Sequence, residues 1–338
     1  MRFVHLVPAR ADDSNFYDAL TAIARSAAER LAIDLEVIHC GTDRAQMVEA
    51  ATALARRAHR PDCVLLPNFK GVAHELLPVL DGASIATFVL VEGLAPSDRL
   101  TCGEPRTRYA RWLGQLTPDD VETGHLLARV LLDEARARDL VAADGKLHVG
   151  VLSGPQSTAA QSRFQGWLAL RKERPEVVQA SVQYASWEEY AARAAVQMML
   201  RSHPEITVIW AANDAMALGA LEGIGDCGRA PGKDVLVGGV DLLPQALRRV
   251  EDGAMAVTVG GHVLDGARAL VLLHDHFRGK DFEPHSRRSL LEPVTAAEVR
   301  AYRRFFEGRG WQKVDFARYS RVKAGTATVP ELTLRDVV

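Results

Sequence analysis

Short, unbroken apolar runs alternate along this chain with longer stretches whose apolar residues recur at helical spacing. Phe3 to Val7 reads as a strand, and Phe16 to Leu31 as a helix whose inner face carries Leu20, Ile23, Ala27 and Leu31. Leu35 to Ile38 is the next strand and Ala45 to Ala58 the next helix. A strand at Val64 to Leu66, a helix at Gly71 to Leu80 and a strand at Ile85 to Val91 follow. Continuous apolar strands between amphipathic helices predict a parallel sheet covered on both faces.

The pattern then restarts. A helix from Asp120 to Ala137 leads to a strand at Leu147 to Leu152, and a helix over Gln161 to Lys172 to a strand at Val177 to Tyr184. A helix at Trp187 to Arg201, a strand at Val208 to Ala211 and a helix at Ala215 to Leu221 come next. Strands at Val235 to Gly238 and Val257 to Val259, then a helix at Leu264 to His276, complete the series. Two such halves predict two doubly wound α/β lobes, and open sheets of this kind take ligands beyond the carboxyl ends of their strands. The crevice between the lobes is therefore the expected binding site.

Composition narrows the function. The chain has 338 residues, suited to two lobes, with 48% hydrophobic and 25% charged residues. A net charge of -2 gives no electrostatic basis for nucleic acid or an anionic membrane as partner. No apolar run is long enough for a bilayer, so no direct membrane insertion is expected. Met1 leads straight into the first strand with no leader, which leaves two readings: a cytoplasmic protein, or a periplasmic one whose leader has been removed. Cys40, Cys63, Cys102 and Cys227 lie far apart and form no CxxC pair, so free thiols are expected.

Two motifs invite chemistry and fail on context. Gly223 to Gly228 spells GxGxxG but follows a helical stretch, whereas a dinucleotide site needs a preceding strand. Glycines that end a helix are the better account. His274-Asp275-His276 resembles a metal pair, yet residues two apart on a helix face different ways, and a partly exposed helix end is expected instead. No P-loop, GxSxG or HExxH occurs, so no metal, cofactor or catalytic residue is expected, and the chain is not read as an enzyme.

Ile209 to Ala220, with Asn213-Asp214 at its centre, resembles the strand–Asn-Asp–helix junction of type I periplasmic sugar-binding proteins, the ribose-binding group. Val237-Gly238-Gly239-Val240-Asp241 is similar to that family's "VGFD" segment, and the residues after Glu251-Asp252-Gly253 to its strand return. The same fold serves effector domains of repressors resembling the lactose repressor, but their N-terminal helix-turn-helix has no counterpart before the first strand.

The resemblance implies roles. Ser14-Asn15-Phe16-Tyr17 matches a loop whose rings pack on a sugar face, which assigns Asn15, Phe16 and Tyr17 to the ligand. Gln161 to Gly166 matches an Arg-x-x-Gly segment and makes Arg163 a hydroxyl clamp; Trp187 falls at an aromatic position, and Asn213 and Asp241 at the ligand-binding Asn and Asp. Rings cover the C–H faces of a sugar while Asp, Asn and Arg bond its hydroxyls. Three departures stand inside the site. Asn68 and Lys70, in Pro67-Asn68-Phe69-Lys70, replace an Asp near a Pro, with Lys70 hinting at an acidic group or an ion pair. Gly261 or His262 replaces a Gln, and Val240 an aromatic. Each choice has a plainer rival: Phe16, Tyr17 and Trp187 as core anchors, Arg163 and Asp241 as surface charges, Asp214, Asp119 and Asp120 as helix caps.

The expected fold is two Rossmann-like lobes joined by a three-segment hinge near Leu116, His262 and Leu291, the type I periplasmic binding protein fold. Residues 1–116 and 263–291 form the N-terminal lobe, and 117–262 and 292–338 the C-terminal one, with Trp311, Phe316 and Tyr319 packing the tail. The expected function is capture of a sugar or polyol in the cleft for the membrane permease of an ABC transporter, with closure as the signal. A sensor of the same fold that signals to a membrane kinase or receptor is the alternative. A sugar-processing enzyme using Asp241 with His262 is disfavoured. The segment from Tyr109 to Gly114, aromatic and basic, has no assigned role.

Overall fold

The computed structural model describes residues 1–11, 15–289, 291–325 and 329–338. Through Pro118 the chain forms β1 (Arg2–Val7), α1 (Asn15–Leu31), β2 (Asp34–His39), α2 (Arg44–Arg56), β3 (Cys63–Leu66), α3 (Ala73–Gly82), β4 (Ala86–Leu90), α4 (Pro96–Cys102) and β5 (Trp112–Pro118). Next come α5 (Asp120–Ala137), β6 (Leu147–Ser153), α6 (Thr158–Glu173), β7 (Val177–Tyr184), α7 (Glu189–Ser202) and β8 (Val208–Ala211). Then follow α8 (Asp214–Asp226), β9 (Leu236–Val240), α9 (Pro244–Glu251) and β10 (Val257–Gly260). The chain finishes with α10 (Asp265–Phe277), β11 (Ser286–Ser289), β12 (Glu292–Val294), α11 (Val299–Glu307) and α12 (Arg321–Ala324).

These elements divide into two compact units. Met1–Pro118, His262–Leu290 and Gly310–Val338 make the first, and Asp119–Gly261 with Leu291–Arg309 the second. The first holds a parallel sheet in the order β11-β5-β4-β3-β1-β2. The second holds β12-β10-β9-β8-β6-β7, parallel except for β12, which runs antiparallel to β10.

In the first unit, Val4 and Leu6 of β1 join Met47, Leu54 and Leu76 in a core under α2 and α3. Side chains alternate along a strand, so Phe3, His5 and Val7 face the other way, where the Phe3 ring lies 5.4 Å from Phe277 of α10. Burial disfavours the imidazolium of His5 and pulls its pKa from 6.5 to about 4, with His39 adding to the shift.

In the second unit, α5 and α6 meet at backbone distance. A Cβ on Gly124 would stand 1.9 Å from the Arg163 carbonyl oxygen, and one on Gly166 2.0 Å from that of Val121. Only glycine fits at either position. The Gly of the Arg-x-x-Gly segment thus has a packing reason, which fixes the helix that carries Arg163.

The Tyr109 to Gly114 segment, which has no role in the sequence reading, runs into a strand, β5, whose Trp112 is buried. Three sequence expectations change. Asp275 and His274 are buried rather than at an exposed helix end; the Asp275 carboxylate accepts from the Ser320 hydroxyl at 2.5 Å and the Arg321 amide at 2.7 Å. Those bonds draw the end of the chain onto α10. Residues Gly310–Val338 therefore belong to the first unit, not to the C-terminal lobe expected for all of 292–338. Ser26 and Arg30 of α1 reinforce this by donating to the carbonyls of Trp311 and Gln312. Lastly, the cap of α8 is Asn213, not Asp214. The GxGxxG glycines lie in the last turns of α8 and just after it, with Gly228 at φ 72°.

Two outcomes follow. Unfolding frees His5 to bind a proton at its ordinary pKa of 6.5, so stability present above that pH is lost as the pH falls toward about 4. His5→Leu should shrink that loss by on the order of 3 kcal/mol, read from melting temperatures of both proteins between neutral pH and about 4. Superimposable pH curves would show that this imidazole is not desolvated. Gly166→Ala should destabilise by about 1–3 kcal/mol or more through overpacking, although alanine alone would favour a helix by about 0.5–1 kcal/mol. A Gly166→Ala protein that unfolds at the wild-type denaturant concentration would rule out the backbone contact.

Candidate functional site

In the second unit, candidate residues gather at the carboxyl ends of β6, β7, β8 and β9. Arg163 lies on α6, whose start is capped by Ser157, which accepts from the Ala160 amide at 3.2 Å. Its guanidinium is carried inward, and the residue is only 6% exposed. Nε donates to Asp120 Oδ1 at 2.8 Å and Nη1 to the Ala212 carbonyl at 2.7 Å, while Asp241 Oδ1 stands 3.8 Å from Nη1. A charge buried this deeply is stable only when paired and hydrogen-bonded. The two carboxylates and the carbonyl at the end of β8 meet that need and fix the plane of the fork.

The guanidinium carbon lies 5.8 Å from the centre of the half-buried Trp187 ring. That ring lies against the backbone at the end of β6, where a Cβ on Gly154 would come 2.5 Å from Trp187 Cζ2. Ser186 and Trp187 both have positive φ, 51° and 67°, so the turn after β7 is bent to place the indole. Asn213 Oδ1 accepts from the Met216 amide at 2.9 Å, while Nδ2 donates to the Trp187 carbonyl at 3.5 Å. The Asn of the Asn-Asp junction is thus both helix cap and tie to the indole turn.

In the first unit, Phe16 stacks on His262, with centroids 4.6 Å apart and planes 29° apart. Tyr17 meets Phe16 edge-on at 5.2 Å. His262 is buried, one turn ahead of the buried Asp265, which accepts from Arg268 Nη1 at 2.9 Å and from the Ser289 hydroxyl. Burial pushes the Asp265 carboxyl above its ordinary pKa, opposed by Arg268 and His262. Ser14 lies outside the described residues, as does the side chain of Asn15, whose backbone opens α1.

Asn68 and Lys70 lie on the loop after β3. Asn68 is wholly buried; its Oδ1 accepts from the Ala73 amide at 2.8 Å and its Nδ2 donates to the Gly93 carbonyl at 2.9 Å. Both ends of the amide brace the loop. Lys70 is exposed at φ 50°, with Nζ 4.9 Å from the Phe69 ring centre and donating to the Thr42 carbonyl at 2.8 Å. Among the described residues no Asp or Glu forms an ion pair with it, so the ion-pair reading gives way to a carbonyl and a ring.

Sequence reasoning missed three residues. Asp120 was expected as a cap; Asp119 takes that part, accepting from the Glu122 amide at 3.1 Å, which leaves Asp120 for Arg163. Asp214 is wholly buried and accepts from the Thr258 hydroxyl at 2.8 Å and the Leu243 amide at 2.9 Å. Burial, then the neighbouring Asp241 charge, raises its pKa to about 8. Thr258 carried no signal beyond its place in a strand. Among the described residues, no group of three or more His, Cys, Asp or Glu is placed to hold a metal ion.

Comparison with known proteins places the chain in a family. The sequence profile described as "Periplasmic binding protein domain" matches residues 4–281. The chain is similar to the D-allose-binding periplasmic protein of Escherichia coli, 31% identical over 162 residues, which are 47% of this chain and 49% of that protein. It is similar also to the ribose import binding protein RbsB of Bacillus subtilis, 32% identical over 143 residues, 42% of each. The aligned stretch thus spans about half the length of these two relatives. Over nearly the whole chain it resembles the crystal structure of a periplasmic sugar-binding protein from Pseudomonas fluorescens, with a TM-score of 0.85, 29% identity and coverage of 95% of this chain and 94% of that one. With the profile matched over most of its length, the chain belongs to the periplasmic binding protein domain family.

Proposed function

We propose that this chain captures a neutral sugar or similar polyol and delivers it, in the periplasm, to the membrane permease of an ABC transporter. The observation that carries the reading is the Arg163 fork, fixed by Asp120 and the Ala212 carbonyl beside Asp241 and the Trp187 ring. Adjacent sugar hydroxyls both donate and accept, which suits a guanidinium and a carboxylate side by side, and an indole suits the C–H face. Two carboxylates beside one guanidinium disfavour an acidic ligand.

The names of similar proteins support the same class, since they are binding proteins for allose and for ribose import. Import in one of those names favours delivery over sensing. No helix of the described residues is long and apolar enough to cross a membrane.

A thermal-shift screen across pentoses, hexoses, polyols and sugar acids tests the proposal. A true ligand at about a hundred times its Kd should add roughly 2.7 kcal/mol of stability. Stabilisation by sugar acids alone would overturn the neutral assignment, and silence from every polyhydroxylated compound would overturn the sugar assignment. For the sugar that binds, Trp187→Ala should weaken affinity about ten-fold through lost ring contact, with little change in the ligand-free melt. Asp241→Asn keeps the shape but removes a charged acceptor, so affinity should fall roughly ten- to hundred-fold by calorimetry.

A further inference from the structure

Asp241 sits in backbone geometry that its residue type disfavours. Its φ is 129° and that of Leu242 is 61°, two successive non-glycine residues with positive φ. Such a conformation persists only where the surroundings over-determine it. Here each of three consecutive amides is held. The Asp241 amide donates to the Val259 carbonyl at 2.9 Å, that of Leu242 to Thr258 Oγ1 at 3.3 Å, and that of Leu243 to Asp214 Oδ2 at 2.9 Å. The Thr258 hydroxyl donates its own proton to Asp214 Oδ1 at 2.8 Å, so one buried carboxyl anchors two of the three.

We propose that Asp214 is a positioning residue that sets the Asp241 carboxylate for ligand, acting through Thr258 and the Leu243 amide. This rests on the reading of Asp241 as a ligand-facing carboxylate. The two groups reach each other across β9, which lies between β8, the strand before Asp214, and β10, which carries Thr258. The crossing point is Gly239, where a Cβ would come 2.4 Å from Asp214 Oδ1. Gly260 makes equivalent room for the bent turn, since a Cβ there would stand 2.5 Å from Leu242 Cγ. Asp214 and Thr258 are both wholly buried, so no water competes for these bonds. A carboxyl directly behind Asp241 would repel it if ionised. Burial and the Asp241 charge raise the Asp214 pKa to about 8, opposed by the bonds from the Leu243 amide and the Thr258 hydroxyl and then by Arg163.

Four variants of the full chain decide the matter: Asp214→Ala and Thr258→Val, which break the anchor, Asp214→Asn, whose Oδ1 can accept from the Leu243 amide while its Nδ2 donates to Thr258 Oγ1 in place of the present bond, and Thr258→Ser, which keeps the hydroxyl. Amide hydrogen exchange of the ligand-free proteins is compared at a single pH. Asp214→Ala and Thr258→Val should speed exchange at Leu242 and Leu243 by roughly ten-fold or more, while both conservative variants stay within about three-fold of wild type. Amides of α5 and α6 should be unchanged in all four. Calorimetry with D-ribose and D-allose should show affinity lost in the first pair and retained in the second. Unaltered exchange at Leu242 and Leu243 in Thr258→Val overturns the proposal, as does wild-type affinity in a variant whose exchange has risen. Should Asp214→Ala fail to fold, Thr258→Val carries the test. Should neither sugar bind the wild type, the choice of those sugars fails, and the exchange data still decide whether the anchor exists.

Discussion

A guanidinium taken out of water must be matched on every side, and Arg163 imposes that condition on the second unit. Its partners come from three places distant in sequence: Asp120 at the start of α5, the Ala212 carbonyl at the end of β8, and Asp241 after β9. None of these can shift alone without leaving a buried charge poorly paired, which costs more than the pair contributes. The glycine contact between α5 and α6 is the packing side of the same condition. It lets α6 lie close enough for its arginine to reach both the neighbouring helix and the sheet.

The first unit uses the same logic with the signs reversed. Asp265 and Asp275 are buried acids on one helix, and each is surrounded by donors. Arg268, bound to Asp265, also donates to the Leu332 carbonyl at 2.7 Å. Both acids therefore tie the end of the chain to α10, the helix that follows His262. Charges placed where water cannot reach them act as local order in both units, one set tying two helices to a sheet and the other holding a tail.

Much of this was legible in sequence because the forces involved are local. Alternating strand and helix periods mark a doubly wound sheet wherever apolar runs are short and continuous. The residues around Asn213 and Asp241 are recognisable because a helix cap and a tight turn restrict residue type within a few positions. What stayed hidden depends on long-range partners. Nothing near Asp120 announces that its partner is Arg163, forty-three residues away. Thr258 looks like any strand threonine until β9 brings Asp214 beside it. The strand β5 was obscured by Arg108 and Arg111, which put charge directly before its apolar residues. The tail went to the wrong lobe because aromatic spacing reveals that a segment packs, not against what.

The segmented make-up of the first unit bears on the order of events during synthesis. The second unit lacks only Leu291–Arg309 once residue 261 has been made. The first must wait for α10 to cover the Phe3 face of its sheet, for β11 to close the edge beside β5, and for Ser320 and Arg321 to satisfy Asp275. A chain emerging from the ribosome amino end first would therefore finish its later unit before its earlier one. While residues 119–261 are being made, the first sheet still lacks α10 over its Phe3 face and β11 at its β5 edge, and its apolar strands and open edge are the part of the nascent molecule most in need of a chaperone's protection.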